Sequence, residues 1–204
     1  MKRAIICFFV IALVAVIMAG CTNSLNNEVP DDLKSEVQKS THQTILVHAD
    51  YPVYNSTEEI ANAATNIYVG TVKDISFEVI DMKTGKADNS SESLSTSRML
   101  YTVYTISVTD SIKGDNPEEI KICTLGGIAG YNEENQFNKL RSSGLLTKYN
   151  GIPITKSKCS LAVGNKYLFC TSRTVGDYDF VINLTQFAHR IDSDNATAII
   201  RASK

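Results

Sequence analysis

Two pairs of carboxylates are spaced for cation binding: Asp177 and Asp179, then Asp192 and Asp194. In an extended strand, residues two apart project from the same face, close enough to share an ion. A calcium loop needs several further oxygens and a glycine at a fixed place, and neither stretch supplies them, so both pairs are read as solvated turns. His42, His48 and His189 are far apart in sequence. A histidine can join Ser and Asp across a fold, but no residue pattern here selects one, and each is read as a surface residue. The chain has no Gly-x-Ser-x-Gly elbow, no His-Glu-x-x-His and no phosphate-cradling Gly-x-x-x-x-Gly-Lys run. Cys123, Cys159 and Cys170 cannot all pair within one chain, being odd in number. Cys123 and Cys170 lie in apolar runs and are read as small buried residues; which pair would form a bridge stays open. With no Cys-x-x-Cys and no histidine at ligand spacing, a zinc site is not expected, nor is any other cofactor.

The fifth region of interest is covalent rather than catalytic. Lys2 and Arg3 precede an uncharged run from Ala4 to Ala19, which ends in Met18-Ala19-Gly20-Cys21. A positive start, a short apolar stretch and small residues before a cysteine resemble a bacterial lipoprotein signal. The run is about 16 residues, short of the ~20 that span a bilayer core. The resemblance implies cleavage after Gly20 and acylation of Cys21, palmitate included, with the protein held on the outer face of the cytoplasmic membrane. Each buried methylene would add about 0.8 kcal/mol to that anchoring.

Composition narrows the partners. The chain has 204 residues with 20 basic against 22 acidic side chains, and loss of Lys2 and Arg3 widens the acidic excess. Nucleic-acid binding, which needs a basic face, is not expected. Nine Tyr and seven Phe supply packing in the absence of Trp, and abundant Val, Ile, Thr and Tyr favour strands.

Three segments follow: signal peptide 1–20, lipidated polar tether 21–44, and one folded domain 45–204. The tether could hold a weak helical turn over Leu33–Lys39. Ser56-Thr57-Glu58-Glu59 matches a capping box opening a short helix that ends near Asn66. Strands are expected from Ile67 through Ile80, with Gly70 at a bulge or close approach, and from Met99 to Ile112, where apolar and polar residues alternate. Residues 81–97 read as a long exposed turn. Further strands are expected at Glu119–Leu125, Lys166–Ser172, Phe180–Leu184 and Ala196–Arg201. Ile128–Lys158 is broken by Gly130, Gly144, Gly151 and Pro153, with a short helix near Phe137–Leu140. So long an insertion in a β domain suggests a functional segment. Tyr131, Phe137 and Tyr149 sit in it, either as a binding surface or as pins that pack it down, the packing reading being favoured.

The order of Tyr68-Val69-Gly70-Thr71-Val72, Ile112-Lys113-Gly114-Asp115, Gly126-Gly127 and Val163-Gly164-Asn165-Lys166-Tyr167-Leu168-Phe169 resembles exported netrin-like or tissue-inhibitor-of-metalloproteinase-like domains. That resemblance spans residues 58–172. It implies a mainly β, OB-like antiparallel barrel with one short N-terminal helix and a long loop insertion. It does not imply protease inhibition by those inhibitors' route, which needs a free N-terminal cysteine amine, whereas Cys21 would be acylated. Fold alone does not give function. The expected function is a non-catalytic, membrane-anchored surface lipoprotein that binds a protein or envelope component. The alternatives are an inhibitor or immunity-type lipoprotein and a small envelope hydrolase.

Overall fold

The computed structural model describes residues 42–204 apart from 89, 93, 94 and 157. The signal, Cys21, nearly all of the tether and the 33–39 turn lie outside the described residues. The domain is mainly β. Its strands are β1 (Thr44–Val47), β2 (Asn66–Asp81), β3 (Lys86–Ala87), β4 (Arg98–Lys113), β5 (Glu119–Leu125), β6 (Ile152–Thr155), β7 (Lys166–Val175), β8 (Tyr178–Val181) and β9 (Ala188–Arg190). The helices are α1 (Thr57–Ala63), α2 (Glu133–Ser142), α3 (Leu146–Tyr149) and α4 (Asp194–Ala202).

Alternation makes β2 and β4 long. They pair antiparallel from Ile67 opposite Lys113 to Asp81 opposite Arg98. The ladder slips between Val69 and Gly70 and between Val72 and Asp74, and such bulges bend a strand and sharpen its twist. Gly70 is also a close approach: a Cβ there would meet Ile106 Cγ2 at 2.5 Å and Ser107 O at 2.7 Å. The bent first half of β2 uses its other edge to pair with β7, Asn66 opposite Thr171 to Thr71 opposite Lys166. β4 pairs with β5, β5 with β8, and β8 with β7. The ladders therefore run in a cycle, β2–β4–β5–β8–β7 and back to β2. Not every pair is antiparallel as expected: β5 and β8 run parallel, as do β1 and β6.

The two faces of β4 go to different places, as a period of two requires. Tyr104 and Ile106 join Val69, Val72, Ile75, Ile122 and Leu168 in the main core. Tyr101 and Val103 join Ile80, Cys123, Leu125, Tyr178 and Phe180 in a cluster on the opposite face. Each fully buried side chain of this size contributes roughly 1.5–3 kcal/mol.

The helices cover what the cycle leaves open. Ser56 caps α1, its Oγ accepting from Glu59 N at 3.1 Å. The Glu59 carboxylate reaches back one residue further than a standard box, to Asn55 N at 2.7 Å. Lys113 Nζ donates to the carbonyls of Ala61 and Ala64 at the other end, satisfying acceptors that a helix terminus leaves free. α1 and α4 pack against each other, with Ile60, Ala61, Ala64, Ala196 and Ile199 in the main core. The stretch 196–201 is thus helical, not the expected strand. Ser193 starts it by accepting from Ala196 N at 3.2 Å, and Ala196 and Ile199 fall on one buried face.

Residues 81–97 are less open than expected. β3 folds back on β2, Ile80 opposite Ala87. Asp81 is buried at the turn, where Ser97 Oγ and Lys83 N donate to its Oδ1 at 2.6 and 2.8 Å. Those bonds, with a further one from Ser95, hold its carboxyl down to about 2. Two turn glycines meet there. A Cβ on Gly85 would lie 2.3 Å from Val175 O, and one on Gly176 would lie 2.2 Å from Gly85 O, both with positive φ.

Candidate functional site: the cleft under the 48–56 segment

Between β1 and α1 the chain runs extended over the ring, with no backbone ladder of its own through residues 48–54. Side chains fasten it instead. Asn183 Nδ2 donates to Pro52 O at 3.1 Å. Gln186 accepts from Tyr54 N at 3.3 Å and donates to Tyr54 O at 2.9 Å. Asn183 and Gln186 also bond to each other at 2.6 Å, so one amide pair holds the strap at Pro52 and Tyr54.

Beneath the strap lies a cleft of about 450 Å³, within the usual size range of ligand sites. Tyr51 and Tyr54 hang into it from the strap, Met82 from the β2–β3 turn, Tyr101 from β4, and Arg173 and Phe180 from β7 and β8. Tyr101 and Phe180 meet edge to face, centroids 5.8 Å apart at 87°, a favoured aromatic geometry. The Arg173 guanidinium lies over the Phe180 ring at 5.2 Å.

Electrostatics define what the cleft can do. Burial pushes the Tyr51 phenol up to about 12 and the Tyr101 phenol higher still, while the positive charge of Arg173 pulls both the other way. Both are therefore O–H donors at any physiological pH, and neither hydroxyl bonds to another described residue. Arg173 forms no ion pair with a described residue. Asp50, at the rim, is the one acidic residue of the lining. Cys123 lies behind the ring pair, 1% exposed, with a thiol that burial raises strongly, so it is not a nucleophile. Cys159 and Cys170 are likewise free thiols, raised by burial.

Tyr131, Phe137 and Tyr149 are brought together, but in a different place. With Leu140, Leu145 and Ile152 of the insertion they pack on Phe77, Val79 and Leu100 in a second core. Tyr149 is 9% exposed, and Phe137 stacks on His42 at 4.2 Å. Gln136, fully buried, bonds Ile128 N and O at 3.1 and 2.8 Å and so closes the loop before α2.

The remaining polar candidates are scattered. His42 pairs with Glu134 at 2.9 Å and His189 Nε2 lies 3.0 Å from Gln186 O. His48 is exposed, and no histidine lines the cleft. Asp179 is not in a solvated turn: it is 5% exposed in β8, bonded to Thr174, with its carboxyl raised by burial. Asp177 stays exposed, and Asp192 pairs with Arg190 at 3.2 Å. Among the described residues no three metal-ligating side chains converge. Lys158 is the most unusual cation. Its Nζ donates to Thr102 Oγ1 and Gly127 O, both at 3.0 Å, and burial lowers its amine to about 7.

Fold and site together define a mainly β domain with an aromatic, singly cationic cleft. Compared with known proteins, the chain matches no family model and no curated sequence. No helix among the described residues is long and apolar enough to cross a membrane.

Proposed function

We propose that this protein is a membrane-tethered, non-catalytic binding module. In this reading Cys21 is acylated, the residues between it and His42 are the tether, and the domain is an OB-like barrel standing off the outer face of the cytoplasmic membrane. The cyclic order β2–β4–β5–β8–β7, with helices inserted between β5 and β7, supports the barrel reading. OB-like barrels take ligands on a strand face flanked by loops, and the cleft has that situation.

The observation that carries the function is the cleft itself: aromatic walls, with two phenols and one cation that have no hydrogen-bond or ion-pair partner, respectively, among the described residues. Tyr, Phe, Met and Arg are the residues enriched where proteins bind other molecules. The partner is a protein or another envelope component. An inhibitor or immunity-type lipoprotein would use the same cleft on a single dominant protein.

The test is capture of envelope material on the full-length, detergent-solubilised chain, run beside a Tyr101→Ala variant. A stoichiometric component retained by the wild type and lost by the variant is the expected result. Equal retention by both would move the function away from the cleft. Palmitate labelling that persists in Cys21→Ala would sink the lipoprotein assignment.

A further inference from the structure

We propose that the cleft is a carboxylate site: Arg173, Tyr51 and Tyr101 receive a monoanionic carboxylate whose apolar or ring-shaped body lies against Phe180 and Tyr54. This rests on the binding-module reading and names the ligand's chemistry.

The argument starts from donors. Arg173 lies on the exposed part of β7, where its guanidinium lies over the Phe180 ring at 5.2 Å. Stacking occupies the face of a guanidinium and leaves its edge N–H groups, the part that fits a carboxylate in a two-point fork. Tyr51, Tyr101 and Arg173 line the same cleft, and Tyr101 and Arg173 both lie against the Phe180 ring, at 5.8 and 5.2 Å. All three present hydrogens and none presents an obligate acceptor. A neutral ligand with donors of its own would leave the guanidinium uncompensated.

Charge count then selects the anion. The lining has one cation and, at the rim, one carboxylate, Asp50. A dianionic phosphate would exceed the single positive charge and face Asp50 as well. Arg173 and Asp50 offset each other in the lining, so a monoanion held by the guanidinium and the two phenols leaves one excess negative charge where a dianion would leave two. The walls require more than a bare ion. Phe180 and Tyr101 are 7% and 4% exposed, and together with Met82 and Tyr54 they offer apolar surface beside the anion subsite. Two sources share this chemistry, the carboxyl end or acidic side chain of a peptide and an acidic sugar.

The experiment measures Kd by saturation-transfer NMR on the full chain in detergent micelles. One probe pair is N-acetylphenylalanine against its neutral amide; the other is glucuronate against glucose. The expected result is at least a tenfold preference for the acid in one pair. That preference is lost in Arg173→Gln, partly kept in Arg173→Lys, and reduced several-fold in Tyr101→Phe, which removes a hydroxyl that bonds no described residue and keeps the ring. The pair that shows the preference identifies the source. Equal binding of acid and neutral probe, with loss in Tyr101→Ala, would overturn the carboxylate assignment and leave the cleft a binding site. A preference unchanged in Arg173→Gln would overturn it too. So would no binding of any probe; the binding-module reading is then judged separately, by envelope capture.

Discussion

The insertion 128–158 packs on Phe77, Val79 and Leu100 of β2 and β4 and the strap 48–56 lies over the cleft; both carry aromatic rings, yet they end differently. The insertion brings its own apolar partners: Leu140, Leu145 and Ile152 bury against Phe77, Val79 and Leu100. Tyr131, Phe137 and Tyr149 are absorbed into that cluster. The strap brings Ala49, Asp50, Pro52 and Val53, the last 80% exposed, and it is held by amide bonds at its far end. Tyr51 and Tyr54 therefore stay half-buried, packed against the edge of the main core while lining the cleft. An aromatic on an irregular segment becomes core when the segment supplies enough apolar mass to close around it. Otherwise the ring lines a cleft.

The sharpest way to break this contrast is to hollow the insertion. Leu140→Ala should cost about 2–5 kcal/mol by denaturant unfolding, while leaving any ligand of the cleft bound with unchanged affinity below the transition. A loss under about 1 kcal/mol would mean that the insertion is not core.

Next is Lys158, at the root of the insertion. Its amine titrates near 7 in the fold against about 10.5 unfolded, so the unfolded chain holds more protons between those values. Stability should rise as pH increases from about 7 to 10.5 and lie lowest, for this group, below 7. Lys158→Met should flatten that slope and gain about 1–3 kcal/mol at pH 6, since removing a buried charge outweighs the bonds lost by Thr102 and Gly127. Parallel pH profiles for the two proteins would refute the assignment.

On the strap, Tyr51→Ala should cost about 1 kcal/mol, well below Leu140→Ala, yet remove binding in the cleft. The smallest effect is expected at Val53→Ala, within about 0.5 kcal/mol; a larger loss would show that the strap is covered by something. Thermal melts of the pair measure both.

The ring was largely readable because alternation over 67–80 and 99–112 extends far enough to separate two faces, and Gly70 marked its own bulge. The capping box at Ser56 was equally plain. The 196–201 stretch misled because a short apolar run has no decisive period; the start signal was Ser193, which bonds Ala196 N. The parallel β5–β8 pairing was not legible, since it depends on how the ring closes and not on either strand's pattern. Nor was the cleft. Its lining comes from residues 49–52, 54, 82, 101, 125, 172–173 and 180–182, and no local motif joins them. Tyr131, Phe137 and Tyr149 drew attention because a glycine-broken loop looks open; α2, α3 and β6 supply the apolar partners that close it.

Gly85 and Gly176 touch back to back, each already the smallest residue and each in a left-handed conformation. Neither position can give room to the other. A lineage that enlarges one side chain has no compensating step at its neighbour, so the two turns are bound to drift together or not at all. Met82 and Arg173, each three residues from one of these glycines, line the cleft. The hairpin contact acts as a fixed hinge post, and the specificity of the adjoining mouth can change while its frame does not.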